Sequence, residues 1–406
     1  MSDADRAAGS AWYPPPRTPY IYVSPAQYYA GGNANRVAIA YSARMNSAHE
    51  FPRLYAAVRA LEQACFAQPA ALATITHTAG STFRHAGSSM LIHADGSVVC
   101  ALSGGCPQHD IVQRAQRVIA SGQAELARYN RDSGLDVLIE MGCGGELDVL
   151  IEPLTGEADT RFMHSIAQLH EGREPGFMAT ALVAANTMAR PRRLVQGRAV
   201  LWNDLDDAAL VQLAQQHAQS GDDLARLHRS GDATGTQILV EPLRPPQALI
   251  LVGINAVALA LAQLAGALGW RCILVEHRAN VPLPEQLPEG ASAIEVSAAQ
   301  LLGQIPCDAG CAAVVMTFNL EHDLRYLGAL ASARLGYLGA IGSRERSARM
   351  HDALRESGAR LFAPAGLDLG AENPHEIALA IAAEVLAQRH LRSARSLSKR
   401  ADTASP

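Results

Sequence analysis

The sequence predicts an α/β protein: an amino-terminal mixed α+β domain followed by a carboxy-terminal Rossmann-like domain with a doubly wound parallel sheet. Three observations carry that expectation. After Pro246, strand and helix patterns alternate strictly, which implies right-handed parallel crossovers. Before it, short strand patterns are grouped between single helices, the mark of an α+β part. Aromatic residues make up only 5% of the 406 residues while Ala and Leu dominate, which suits helix-covered layers better than an all-β sandwich.

The same composition excludes other classes. With 49% hydrophobic and 18% charged residues and a mean hydropathy of +0.02, the chain can fill substantial cores and is neither wholly disordered nor membrane-embedded. Lys and Arg number 34 against 39 Asp and Glu, so the formal charge of −5 leaves no basic field for nucleic acid and no polybasic membrane patch. The longest apolar run, from Ala248 to Leu268, is broken by Gly253, Asn255 and Gln263, short of the ~20 residues of a membrane span. Seven cysteines, an odd number, and no charged-then-apolar leader over the first twenty residues argue against a disulfide framework; a cytoplasmic location is expected.

Residues 1–47, rich in Pro, Tyr, Gly and Asn, lack any sustained period and read as a disordered leader. Order is expected from 48 to 245. Leu54, Val58, Leu61 and Cys65 recur at helical spacing. Strand patterns follow at Ala71 to His77, Ser89 to Ile92 and Val98 to Leu102, the last two joined by the turn Ala94-Asp95-Gly96. A helix is expected at Asp110 to Ser121, strands at Asp136 to Glu140 and Glu146 to Glu152, and a helix at Arg161 to Gly172. Strands at Met178 to Ala184 and Arg193 to Val200, a helix at Asp206 to Ser220 and a strand at Gln237 to Glu241 complete this part. Val149-Leu150-Ile151-Glu152-Pro153-Leu154 is echoed by Ile238-Leu239-Val240-Glu241-Pro242-Leu243. A duplication would leave that trace, but two strands each ending at a proline would look the same, and the latter is the reading taken.

Leu243-Arg244-Pro245-Pro246 marks the domain boundary. The second domain, 246–390, has expected strands at Ala248 to Val252, Arg271 to Glu276, Ser292 to Val296, Ala312 to Met316 and Tyr337 to Ile341. Its helices are expected at Ala256 to Leu268, Ala298 to Gln304, Glu321 to Ala331, Arg344 to Ser357 and Pro374 to Gln388, with a flexible tail over 391–406.

Gly253 ends the first strand of that domain and feeds a helix amino terminus, a place where unpaired N–H groups and the helix dipole attract anions. Of a Gly-x-Gly-x-x-Gly fingerprint only the first glycine survives in Gly253-Ile254-Asn255-Ala256-Val257-Ala258, although Glu276 stands where an acidic residue would take a ribose hydroxyl pair. Gly253 and Glu276 are therefore the candidate nucleotide-binding residues.

More distinctive are Ser103-Gly104-Gly105-Cys106 and Gly142-Cys143-Gly144-Gly145. Adjacent glycines expose backbone donors to oxyanions, and a thiol beside such donors or at a helix amino terminus has a lowered pKa. Pro107 fits a first helical turn, which puts Cys106 at that amino terminus. Cys65, Cys100 and Cys272 read as small buried hydrophobes, and Cys307 with Cys311 as structural cysteines rather than half of a zinc site. In Gly80-Ser81-Thr82-Phe83-Arg84, Ser81 can donate to a phosphate and Arg84 can bind one bidentately.

These segments carry a resemblance. Gly80 to Arg84 with Gly87, Met90 and Asp95-Gly96, the two Gly-Cys segments, and Ile151-Glu152-Pro153-Leu154 resemble the XdhC/CoxI family. Met316-Thr317, Asp323, Tyr337-Leu338-Gly339, Gly342-Ser343-Arg344, Ala363-Pro364-Ala365-Gly366-Leu367-Asp368, Pro374 and Glu376-Ile377-Ala378 are similar to its carboxy-terminal Rossmann domain. The likeness runs from about Phe51 to Gln388. It departs from the family pattern at Pro107-Gln108, where Leu-Glu is usual, at Asn255-Ala256 in place of Gly-His, and at Phe318 in place of His.

The resemblance implies an accessory factor, more a maturation chaperone than an enzyme, that binds molybdenum cofactor (molybdopterin) as cargo. It further implies support of cofactor sulfuration with a cysteine desulfurase, and insertion into an apo molybdenum hydroxylase of the xanthine dehydrogenase type. Ser81, Arg84, Ser103, Gly104, Gly105, Cys106, Gly142, Cys143, Gly144 and Gly145 would then be cofactor-binding, with Cys106 and Cys143 contacting molybdenum or relaying sulfur. A homo-oligomer is compatible with this role. The alternative is an NAD(P)-binding oxidoreductase built on the Gly253 turn.

Overall fold

Two helix-and-strand units of one topology precede a parallel sheet. The computed structural model describes residues 50–80, 82, 84–102, 106–130, 145–182, 190–219, 224–229 and 236–396. The expected leader, the strand expected at 136–140 and the last ten residues of the tail lie outside them.

The first unit runs α1 (Glu50–Gln63), β1 (Ala70–Ala79), β2 (Ser89–His93), β3 (Val98–Val99), α2 (Cys106–Ser121), β4 (Glu125–Tyr129) and β5 (Glu146–Leu154). The second repeats that order with α3 (Glu157–Glu171), β6 (Gly176–Leu182), β7 (Arg192–Gln196), β8 (Val200–Asn203), α4 (Ala208–Gln219), β9 (Arg226–Arg229) and β10 (Gln237–Leu243). Their sheets have orders β3-β2-β1-β5-β4 and β8-β7-β6-β10-β9. The registers coincide as well: Ala71 faces Pro153 and Leu72 faces Glu152, as Phe177 faces Pro242 and Met178 faces Glu241. The Glu-Pro-Leu echo is thus the trace of a duplicated unit, not of two strands that merely end alike.

Alternation along the strands divides the core. Leu72 and Leu91 of the first sheet and Met178 and Val195 of the second share one apolar cluster with Phe51, Leu54 and Val58 of α1 and Phe162, Met163 and Ile166 of α3. The opposite face of the first sheet packs on Ile111, Ala115 and Val118 of α2, and that of the second on Leu210 and Ala214 of α4. The strand expected at Arg193 to Val200 is instead the hairpin β7–β8, because Gly197 turns the chain and donates its N–H to Ala199 O at 3.0 Å.

Beyond β10 come β11 (Ala248–Val252), α5 (Ala256–Ala267), β12 (Arg271–Glu276), β13 (Ala291–Glu295), β14 (Cys311–Val315) and α6 (Leu320–Ala331). The chain continues through β15 (Tyr337–Ala340), α7 (Arg344–Leu354), β16 (Leu361–Phe362) and α8 (Pro374–Arg389). Their sheet, β13-β12-β11-β14-β15-β16, is parallel throughout, and every residue of β11 and β14 is buried, as expected of strands covered on both faces. Asn255, Asn319 and Asn373 cap α5, α6 and α8 with their side-chain carbonyls. The helix expected at Ala298 to Gln304 shrinks to one 3-10 turn, Leu301–Gly303, too short a segment before Gly303 to close a stable helix. Arg173, just after α3, holds Asp308 with two side-chain bonds of 2.6 and 3.0 Å and reaches Pro246 O at 3.0 Å, tying the second unit to the parallel sheet.

Candidate functional site at one end of the first sheet

Strand direction brings together the described flanks of the sequence motifs. Ala79 at the end of β1 pairs with Glu146 at the start of β5, so Gly80 and Gly145 are neighbours. β3 runs in the direction of β1, because both are antiparallel to β2, and Cys100 to Leu102 therefore lead toward the same end. α2 starts there at Cys106. Ser81, Ser103, Gly104, Gly105, Gly142, Cys143 and Gly144 lie outside the described residues, as does the side chain of Cys106. The described flanks Gly80, Leu102 and Gly145 lead to one end of one sheet.

The loop after β1 is fixed from below. Gly87, at φ +87°, donates its N–H to Ile75 O at 2.8 Å, and Ser88 O accepts from Ile75 N at 2.9 Å, extending the β1–β2 ladder into the loop. Arg84 forms an ion pair with Glu50, the first residue of α1, both side chains being largely buried. Arg84 Nε and the Thr82 hydroxyl are buried with no hydrogen-bond partner. In the first turn of α2, Gln108 Nε2 donates to Met90 Sδ at 3.1 Å. Cys100 is half-buried near Glu50 O, and burial, followed by the Glu50 charge, pushes its thiol above the ordinary range.

The second unit reaches this loop through Glu241. A Cβ on Gly87 would lie 3.0 Å from Glu241 Oε1, so only glycine lets the turn rest on that carboxyl. Glu241 is 3% exposed, and neither of its oxygens has a hydrogen-bond partner. Burial pushes it up to about 8; Arg193 opposes the rise and Glu152 adds to it. Sequence reasoning missed both Glu50 and Glu241. The only signal of the latter was its place in the Glu-Pro-Leu echo.

At the carboxyl ends of the parallel strands, the Gly253 turn is closely packed. Gly253 has φ +98°, and a Cβ there would lie 2.7 Å from Met316 O. Asn255 Oδ1 accepts from Val257 N and Ala258 N at 2.9 and 3.1 Å, while its Nδ2 donates to Met316 O at 2.9 Å. The amides that a pyrophosphate would use are therefore bonded to Asn255. Glu276 is likewise engaged: both oxygens accept from the Arg278 side chain, at 2.9 and 3.0 Å, and Oε1 also accepts from Arg278 N. Burial pushes that carboxyl up, but the Arg278 bonds outweigh it and leave it below the ordinary range. Nearby, Asp323 is fully buried, accepts from Thr317 Oγ1 at 2.6 Å and pairs with Arg346 at 2.5 Å.

The remaining cysteines sort by burial. Cys272 is buried and pushed up to about 12, Cys311 to about 11, and Cys311 Sγ accepts from Arg173 Nη2 at 3.3 Å. Cys65, read above as buried, is exposed at a left-handed position (φ 49°) where the chain leaves α1. Among the described residues no group of three or more His, Cys, Asp or Glu side chains is arranged to hold a metal ion, and no helix is long and apolar enough to cross a membrane.

Comparison with known proteins agrees along most of the chain. Residues 67–130 match the model of the XdhC and CoxI family, and residues 249–385 that of the XdhC Rossmann domain. A protein of Bacillus subtilis strain 168 named as a probable subunit of xanthine dehydrogenase is 28% identical over 324 residues, 79% of this chain and 94% of its own length. The molybdenum cofactor insertion chaperone PaoD of Escherichia coli K12 is 26% identical over 337 residues, 81% of this chain and 86% of its own. A crystal structure described as a xanthine dehydrogenase from Bacillus halodurans has the same fold, with a TM-score of 0.66 at 23% identity over 86% of this chain and 98% of that one.

Proposed function

Because the chain belongs to the XdhC/CoxI family, we propose that it is an accessory factor that carries molybdenum cofactor and inserts it into a molybdenum hydroxylase of the xanthine dehydrogenase type. The observation that carries this reading is the relationship to PaoD, which runs through both the duplicated units and the parallel sheet. The site at the end of the first sheet suits such cargo. Its described donors include an arginine with an unpartnered buried Nε and a hydroxyl in the same condition, chemistry matched to the phosphate of a pterin cofactor. Arg84 is pre-oriented by Glu50, which lowers the ordering cost of binding.

In this reading Ser81, Arg84, Ser103 and the amides of Gly104, Gly105, Gly142, Gly144 and Gly145 hold the phosphate and pterin, and Cys106 and Cys143 present soft sulfur toward the metal. Sulfuration with a cysteine desulfurase, delivery to the apo-hydroxylase in the cytoplasm and self-association belong to the same proposal. The Gly253 turn gives an NAD(P) oxidoreductase little support, since Asn255 already occupies the helix amides.

The test is purification from a molybdate-replete host. Molybdenum and oxidised-pterin fluorescence should follow the protein, and Cys106→Ala and Cys143→Ala, made separately, should each reduce loading or activation of the hydroxylase. If neither metal nor pterin follows the wild-type chain while a known carrier scores positive, the reading fails. Wild-type behaviour of both variants removes the thiols from it.

A further inference from the structure

The duplication supplies an internal comparison for the buried carboxyls. Leu72 faces Glu152 as Met178 faces Glu241, and Thr74 pairs with Ser89 as Thr180 pairs with Arg193. Glu152 and Glu241 are therefore equivalent, and so are Arg193 and Ser89. Glu152 holds the Arg193 guanidinium with both oxygens, one of the bonds measuring 3.0 Å. Glu241 is buried to the same degree, 3% exposed against 1%, yet neither of its oxygens has a hydrogen-bond partner. Arg193 is close enough for its charge to favour the ionised form of Glu241, but it gives both terminal nitrogens to Glu152. Ser89 is too short to stand in for a guanidinium, and its hydroxyl is bonded to Thr74 Oγ1 at 2.8 Å.

A buried carboxyl without a partner costs stability and calls for an explanation, and a donor arriving from outside the chain supplies one. The surroundings of Glu241 direct that donor to the loop after β1. A Cβ on Gly87 would lie 3.0 Å from Glu241 Oε1, so glycine keeps the turn clear of any side chain in front of the carboxyl. The same loop carries two further buried polar atoms without a hydrogen-bond partner, the Thr82 hydroxyl and Arg84 Nε. At most about 10 Å of extended chain separates Arg84 from Gly87, so one small molecule can touch both. Glu241 thus adds the second unit to a cluster of unsatisfied groups around one loop of the first.

We propose that Glu241 recognises the amino-pyrimidinone edge of the pterin, accepting from its 2-amino group and ring N3–H as Glu152 accepts from the two terminal nitrogens of Arg193. The inference rests on the carrying of molybdenum cofactor and names the part of the cargo that the second unit reads. A pterin contains the same N–C–N unit as a guanidinium, with two N–H groups side by side, and a carboxylate takes such a pair in two parallel bonds. Glu241 binds as the carboxylate, and the proton that burial keeps on it in the free protein leaves to solvent. A pteridine with oxygen at position 2 would set a carbonyl against Glu241 and leave a buried acceptor unpaired, the stronger form of discrimination. Thr82 and Arg84 remain for the phosphate.

The experiment titrates the cofactor-free full chain, wild type and Glu241→Gln, with 6-hydroxymethylpterin and 6-hydroxymethyllumazine, which differ at position 2 alone, and reads pteridine fluorescence. The wild type should bind the pterin at least about tenfold more tightly than the lumazine. Glu241→Gln turns an amide N–H toward one of the pterin donors and should lose that preference. A residue that only supports the fold would change the Tm and leave the ratio of the two affinities as it was. Purified from a molybdate-replete host, the variant should also carry about tenfold less oxidised-pterin fluorescence per chain than the wild type. The proposal is overturned if the wild type binds the two pteridines alike, if the variant keeps the wild-type ratio, or if a loaded wild type and the variant carry equal pterin. A wild type that carries neither molybdenum nor pterin from that host fails the carrying reading instead, and the titration then decides the role of Glu241 by itself.

Discussion

Glu152 of β5 and Arg193 of β7 form a buried ion pair between the two duplicated units, with Arg193 Nη1 donating to Oε2 at 3.0 Å and Nη2 donating to Oε1. The guanidinium also lies 4.0 Å from the centroid of the Phe162 ring of α3. Duplication places Glu241 at the position of Glu152 and Ser89 at that of Arg193, since Thr74 pairs with Ser89 as Thr180 pairs with Arg193. One carboxylate of the symmetric pair therefore has a guanidinium and the other has none.

Removing Arg193 leaves Glu152 as an uncompensated buried charge, a change worth roughly 3–5 kcal/mol where buried pairs are broken from one side. Arg193→Met should lower stability in urea by about that amount. Adding Glu152→Leu should recover much of the loss, because two apolar residues need no partner. A double variant as unstable as the sum of the singles would show that the pair is not coupled.

Glu241 gives the protein a pH dependence of definite sign. Its ordinary value is 4.5 and burial raises it to about 8, so the folded state holds the proton more tightly than the unfolded chain. The stabilisation from that proton is full below about pH 4.5 and is lost as pH rises through about 8. Glu241→Gln cannot ionise and should flatten this fall, making the variant more stable than the wild type at pH 8 by on the order of 1–3 kcal/mol. Parallel curves from pH 5 to 8 would remove Glu241 as the group responsible.

The parallel sheet was legible because its strands are unbroken apolar runs such as Ala248-Leu249-Ile250-Leu251-Val252 and its helices begin at asparagine caps. The edge strands β4 and β9 were not. Glu125-Leu126-Ala127-Arg128-Tyr129 and Arg226-Leu227-His228-Arg229 are short and carry charge on their open sides, so they resemble loops until β5 and β10 pair with them. The duplication was masked for a related reason. The second unit has polar residues at Gln196, His217 and His228 where the first is apolar, which erases the pattern everywhere except at Glu-Pro-Leu. At the candidate site, the glycines and Arg84 were readable as types, whereas the Glu50 and Glu241 contacts join different elements and exist only once the chain is folded.

Thiol chemistry should follow burial. Cys65 is exposed, while Cys272 and Cys311 are buried and pushed up to about 12 and 11. Since the thiolate is the reactive form, iodoacetamide at pH 8 should label Cys65 at least ~100-fold faster than Cys272 or Cys311, which should react only on unfolding. Peptide mass spectrometry over a time course reads the order directly. Early labelling of Cys272 would mean that β12 opens without global unfolding.

Asn255 does two jobs at the start of α5: its Oδ1 caps the helix, and its Nδ2 donates to Met316 O across the sheet from β11 to β14. Loss of an amino-terminal cap costs about 1 kcal/mol, and the unbonded Met316 carbonyl adds to it. Asn255→Ala should therefore destabilise the chain by roughly 1–2 kcal/mol. Asn255→Gly restores the glycine of the dinucleotide fingerprint and should cost less at the cap. It also frees the Val257 and Ala258 amides for an anion. If the side chain is what fills this turn, NAD should stabilise the glycine variant more than the wild type in a thermal-shift measurement; equal shifts would show that Asn255 does not control access to the helix amides.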